Sequence, residues 1–260
     1  MNADVKSITN PLPREMMEST YPILFAVEQT HWWFIGRRRI LAEFVERICD
    51  QVTDRRPRIL DVGCGTGANL LMLSKYGQAE GVDVSQDALA FCRARGLDQV
   101  KLGAAEELPY EDGTFDLVTA FDVVEHMDDD LAGLKEMRRV LRPGGRVLLF
   151  VPTFMFLWGL QDDVSHHRRR YRLPELHRVL EQAGFEVERS TYANITFFAP
   201  ILLMRKLMRL TGIKTESENT INVSALNGVL GKILGAESTV LRYINLPFGV
   251  SGLCVARVKE

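Results

Sequence analysis

Two groups of residues in this sequence have types and spacings that could bind or react. The first is Asp61-Val62-Gly63-Cys64-Gly65-Thr66-Gly67. Glycine permits a positive φ and lets a ligand come close to the backbone. A helix starting behind such a turn offers unpaired N–H groups and a positive dipole end. Read as Gly63-x-Gly65-x-x-Ala68, the turn fits a dinucleotide fingerprint, with a pyrophosphate on the helix end. Asp83 follows roughly 20 residues after Asp61, where one carboxylate can accept from two ribose hydroxyls. The second group is His126 with the run His166-His167-Arg168-Arg169-Arg170-Tyr171. Histidine titrates near neutral pH and can take a proton from a hydroxyl or a carbon acid. His126, His166, His167 and Tyr171 are therefore the candidate bases. The arginines of the run suit a polar or anionic ligand, or else form a solvated face balanced by Asp162 and Asp163. Two adjacent histidines without a third ligand do not make a metal site, and none is expected.

The elements that must position these groups alternate. Apolar runs at 58–62, 79–84, 100–102, 115 onward and 146–151 read as strands, with helical patterns at 67–76, 85–95 and 130–141 between them. Strand–helix alternation of this kind builds a parallel sheet covered on both faces. A helix at 174–183 and a strand at 185–192 follow, and a last strand closes the chain. Four segments result: an arm and helical lid over 1–50, a core over 51–194, a helical insertion or cap over 195–245, and a last core strand over 246–260. Within the lid, a loose arm to Pro22 leads into one helix over 23–50. That helix carries His31-Trp32-Trp33-Phe34-Ile35-Gly36-Arg37-Arg38-Arg39. Its aromatics either pack on the sheet or, with Trp33 and Arg37, cover a bound cofactor and face its carboxylate.

Composition narrows the classes. Lys+Arg number 32 against 34 Asp+Glu, a net charge of −2, so general nucleic-acid binding is not expected. The four cysteines are scattered, which suits a reduced, cytoplasmic protein with free thiols. The N-terminus is polar and lacks the apolar core of a signal peptide. The apolar stretch 195–204 is too short to span a bilayer, which takes about 20 residues.

Further stretches occur in a telling order: Leu108-Pro109, Phe115-Asp116-Leu117-Val118, Glu125-His126 and Arg142-Pro143-Gly144-Gly145. With Asp-x-Gly-x-Gly-x-Gly from Asp61 and the acid at Asp83, the stretch 58–152 resembles the class I S-adenosylmethionine (SAM) methyltransferases. The resemblance extends to bacterial members of small-molecule and glycan pathways. It implies a Rossmann-like seven-stranded sheet, helices on both faces, and an antiparallel last strand. It also implies SAM as cofactor, released as S-adenosylhomocysteine. Gly63, Cys64, Gly65 and Gly67 would hold its methionine portion, with Asp61 ordering the turn and the cofactor amine. Asp83 and Val84 would hold the ribose, Ala105 and Glu106 the adenine, and Phe121 would end the strand beside them. Many relatives carry an acid where this chain has Ala104, so Glu106, backbone groups near Ala105 or water must take that role.

The expected activity is methyl transfer to a small-molecule acceptor, anionic or lipid-linked. A non-catalytic SAM-binding subunit and an NAD-dependent oxidoreductase are the alternatives. The His166–Tyr171 run and the 195–245 insertion are expected to form the acceptor pocket beside His126. The insertion could also serve as a homodimer surface, or as a peripheral membrane contact through 195–210.

Overall fold

The computed structural model describes residues 20–211 and 224–259. Most of the expected N-terminal arm and the polar connector after Thr211 lie outside those residues. The strands are β1 (Arg58–Val62), β2 (Gln78–Asp83), β3 (Val100–Leu102), β4 (Phe115–Phe121), β5 (Leu141–Pro152), β6 (Phe185–Ala193) and β7 (Ser251–Val258). They form one sheet in the order β3-β2-β1-β4-β5-β7-β6. The pairs from β3 to β5 are parallel, and β7 runs antiparallel between β5 and β6. β4 is buried along its whole length, as a central strand covered on both faces must be.

The helices are α1 (Thr20–Val27), α2 (Trp32–Cys49), α3 (Ala68–Leu73), α4 (Gln86–Ala94), α5 (Asp130–Val140), α6 (Leu160–Val164), α7 (Leu173–Gln182), α8 (Phe198–Thr211) and α9 (Ser224–Leu241). On one face, Leu134 and Met137 of α5 and Leu176 and Leu180 of α7 meet Val118 and Val147 of the sheet. On the other, Ile40, Leu41 and Phe44 of α2 and Leu234 of α9 meet Leu148, Phe150 and Leu253. α2 and α9 cross closely because Gly36 leaves room for Leu234. A Cβ there would lie 2.6 Å from that leucine's own Cβ.

Several boundaries differ from the sequence expectation. The single helix over 23–50 is two, α1 and α2, broken at His31. His31 has extended backbone and its Nδ1 accepts from Trp33 N at 3.3 Å, so it caps α2 and stops the helical path. Arg142–Gly145 falls within β5 as a bulge that keeps the expected turn: β4 pairs Phe115 with Leu141 and then Leu117 with Arg146, so the regular pairing starts after Gly145. The last strand begins only at Ser251. Among the described residues, no helix is long and apolar enough to cross a membrane.

The tight α2–α9 crossing yields a prediction. Gly36→Ala should cost about 1–3 kcal/mol by overpacking, read as a lowered midpoint in chemical unfolding. An unchanged midpoint would mean that α9 does not lie on α2 in solution.

Candidate functional site

The sheet reverses its progression between β1 and β4, and open α/β sheets bind ligands at that point, beyond the strands' carboxyl ends. β1 ends there in the glycine turn. Gly65 has φ +54, and a Cβ on it would meet nothing within 4 Å, so this face of the turn is open. Asp83, at the end of β2, braces the turn from behind: Oδ2 accepts from Gly65 N at 2.8 Å and Oδ1 from Ser85 N at 2.9 Å. Burial raises its pKa despite those bonds. Asp61 is fully buried; its Oδ1 accepts from Thr119 Oγ1 at 2.7 Å, while Oδ2 has no hydrogen-bond partner among the described residues. Burial outweighs the Thr119 bond and the nearby Arg37 charge and pushes Asp61 up to about 7. Cys64 is buried within the turn, with its N–H donated to Val82 O.

A cavity of about 490 Å³ opens in front of this turn. Gly63, Cys64, Gly65 and Phe121 line its sheet side, and Trp33 and Arg37 of α2 its roof. Arg37 is buried and forms an ion pair with Asp122, with Asn69 Oδ1 3.4 Å from its Nη2. Asp122 follows β4 with φ 56, a strained value that Asp tolerates better than most residues. Glu28 ties the lid down, accepting from Thr66 Oγ1 and pairing with Arg95 after α4. The insertion closes the far side with Phe197, Ile201 and Met204 around α8 and Leu230 of α9.

The remaining wall carries His126 and His167, whose rings stand perpendicular with centroids 4.7 Å apart. His167 Nδ1 lies 2.8 Å from Asp162 Oδ1. Asp162 is fully buried and also receives two bonds from Arg170, at 2.8 and 3.0 Å. Burial opposes its charge, yet the His167 and Arg170 bonds bring its pKa down to about 2. Glu125, fully buried, lies beneath, with Oε1 3.9 Å from His167 Nε2.

Two of the candidate bases fall outside this arrangement. Tyr171 is buried in the core and does not line the cavity; its hydroxyl donates to Asp130 Oδ2 at 2.7 Å, and burial raises its pKa. Its place is in the packing, with its hydroxyl already satisfied. His166 is exposed and also off the cavity, so of the run only His167 and Arg170 reach it. The arginines do not present free charge to a ligand either. Arg168 pairs with Asp128, Arg169 with Asp130 and Arg170 with Asp162.

Gly67 lies at the N-cap of α3, behind the cavity's lining. Asp83 and Val84 at the end of β2, and Ala105 and Glu106 after β3, also lie outside that lining, at the same carboxyl edge of the sheet. Ala105 is buried, and Glu106 is half-buried with a pKa raised by burial and by Asp128 and Asp129.

Sequence reading missed Asp122, Asp162 and Glu28 as parts of this site, while the 195–245 insertion does reach the cavity through α8 and α9. Only the proximity of Asp162 to His167 in sequence offered a signal. The pKa of Asp61 generates a prediction. A carboxylate whose folded pKa exceeds its unfolded value supports folding at low pH, and that support fades as pH rises from about 4 to about 7. Asp61→Asn removes the cost of burying the charge. The variant should therefore gain thermal stability over the ligand-free wild type at about pH 8 more than at about pH 5. An equal difference at both would contradict a buried, reluctantly ionised Asp61.

Comparison with known proteins joins this geometry to a chemistry. A family model described as a methyltransferase domain matches residues 60–149. A Mycolicibacterium smegmatis protein named "Probable S-adenosylmethionine-dependent methyltransferase" is 31% identical over 183 residues, 69% of this chain and 69% of its own length. Demethylmenaquinone methyltransferase of Staphylococcus aureus is 36% identical over 151 residues, 53% of this chain and 58% of that protein. Among solved structures, the complex of a methyltransferase activator and a methyltransferase from Haloferax volcanii gives a TM-score of 0.59. The match covers 94% of this chain and 95% of that chain at 18% identity, a likeness of fold alone. The sheet order, the glycine turn and a relative matched over two thirds of both chains lead to one conclusion: the chain belongs to the class I SAM-dependent methyltransferases, enzymes whose methyl donor is S-adenosylmethionine.

Proposed function

We propose that this methyltransferase acts on a small, largely apolar acceptor whose reacting group is an ionisable hydroxyl or carbon acid. The observation that carries this reading is the composition of the cavity. Trp32, Trp33, Phe197, Ile201, Met204 and Leu230 line it, while its arginines are paired, Arg37 with Asp122 and both Arg170 and Arg205 with Asp162. Apolar walls with a few convergent polar groups are the usual form of a small-molecule site. The relative named for demethylmenaquinone agrees with an apolar acceptor. Family membership removes the NAD-dependent and non-catalytic alternatives from further argument.

The residues at the turn fit the cofactor. The open face of Gly65 leaves room for its methionine portion, and the unpartnered Oδ2 of Asp61 suits an ammonium group. Asp83 holds the ribose hydroxyls, and Glu106 with Ala105 borders the adenine. Bound SAM supplies a methyl group on a sulfonium, already activated for displacement. The chain's own residues then align the acceptor and draw off its proton. Asp162 accepts from His167 Nδ1, which fixes the proton there and leaves the Nε2 lone pair free. His167, with His126 beside it, is thus the base end of the site. A contact of α8 with lipid is supported by Leu203, Leu207 and Leu210, all exposed at four- and three-residue spacing beside the exposed Lys206.

Asp83→Ala should weaken SAM binding several-fold to about a hundredfold, the loss of roughly 1–3 kcal/mol, measured by calorimetric titration. A folded variant with unchanged affinity would remove Asp83 from the site. His167→Ala should lower turnover about 10²–10⁴-fold while SAM affinity stays nearly constant. Full turnover in both His167→Ala and His126→Ala would sink the role given to the imidazoles.

A further inference from the structure

We propose that Glu125, His126 and His167 form a divalent transition-metal site at the acceptor end of the cavity. One donor atom from each lies within 4.8 Å of the others. Glu125 and His126 come from the single turn at Val124–His126 after β4, and His167 from the loop after α6. The two segments are pinned together, since Arg168 N donates to Glu125 O at 2.8 Å. Glu125 is 0% exposed, and neither carboxylate oxygen receives a hydrogen bond from another described residue. A carboxylate withdrawn from water without donors is costly, and what faces this one is a pair of imidazoles. A cation between them would satisfy it.

The surroundings have the form of a metal site's outer shell. Ligating histidines typically donate their second ring N–H to a carboxylate, which fixes ring orientation and raises basicity. His167 makes that bond to Asp162, and Arg170 holds both Asp162 oxygens. The 3.9 Å between His167 Nε2 and Glu125 Oε1 is a few tenths of an ångström wider than the roughly 3.4 Å that two metal bonds would set. Two imidazoles and one carboxylate suit zinc, iron(II), cobalt or manganese rather than magnesium or calcium. Three protein ligands leave a coordination position open, and both histidines border the cavity. That position would take the acceptor's oxygen and lower its pKa. The inference rests on the acceptor end proposed above and alters one part of it: the imidazoles act on the acceptor's proton through the ion.

The test is direct metal binding, independent of any acceptor. The full chain is stripped with chelator, incubated with zinc(II) or cobalt(II) and freed of excess. Metal per chain and the visible absorption of the cobalt form are then read, with SAM affinity measured on the same samples. One ion per chain is expected, with cobalt bands typical of imidazole and carboxylate ligands. Glu125→Gln, His126→Ala and His167→Ala should each lose more than the roughly 10–100-fold in metal affinity that Asp162→Asn, an outer partner, should lose. His166→Asn, which keeps a residue tolerant of φ 54, should bind as the wild type does. Should Glu125→Gln fail to fold, the half-buried His126→Ala decides. A chain that binds SAM but no metal overturns the inference and leaves the cofactor reading standing. Wild-type metal affinity in the ligand variants overturns it equally.

Discussion

The site depends on the reversal of strand order between β1 and β4. Parallel strands deliver their carboxyl ends to one edge, and the reversal keeps the helices that follow β1 and β4 from covering the gap between them. Into that gap come the glycine turn after Val62, Asp83 from β2, and Asp122 with Glu125 and His126 after Phe121. None of these residues is near another in sequence except within its own turn. Their convergence is a property of topology.

Charge is then managed locally, pair by pair. Arg37 and Asp122 neutralise each other above the turn, Glu28 answers Arg95 at the lid, and Asp162 gathers Arg170 and His167. The cavity is consequently apolar in character although it is bordered by arginines. Where a buried carboxylate oxygen has no hydrogen-bond donor among the described residues, as at Asp61 Oδ2 and on Glu125, it marks a place that a positively charged group would stabilise. One such place lies behind the open face of Gly65, the other beneath the histidine pair.

Much of the fold was legible because local patterns and topology agree. The strand limits at Arg58–Val62 and Val100–Leu102, the Ser85 cap and the antiparallel final strand follow from apolar runs, a capping residue and the family's order of motifs. The lid was less legible. The periodicity from Ile23 to Asp50 cannot reveal that His31 turns its backbone out of the helix and caps the next one. The run from His166 to Tyr171 reads as one functional stretch, yet its residues diverge once folded. Tyr171 enters the core, His167 faces the cavity and His166 faces solvent. Spacing alone could not separate them, because the loop that carries them has no regular period. Asp162 escaped notice for a related reason: beside Asp163 it reads as surface charge, and only the packing of α6 buries it.

Methyl transfer to an acceptor seated between the glycine turn and the insertion helices can be measured by supplying the purified chain with SAM bearing a deuterated methyl group. Panels of apolar phenols, enols and other carbon acids, and of polar anionic compounds, would be screened by mass. The expected outcome is a single labelled methyl added to an apolar member with an ionisable hydroxyl or carbon acid. Transfer confined to polar anionic acceptors would contradict it.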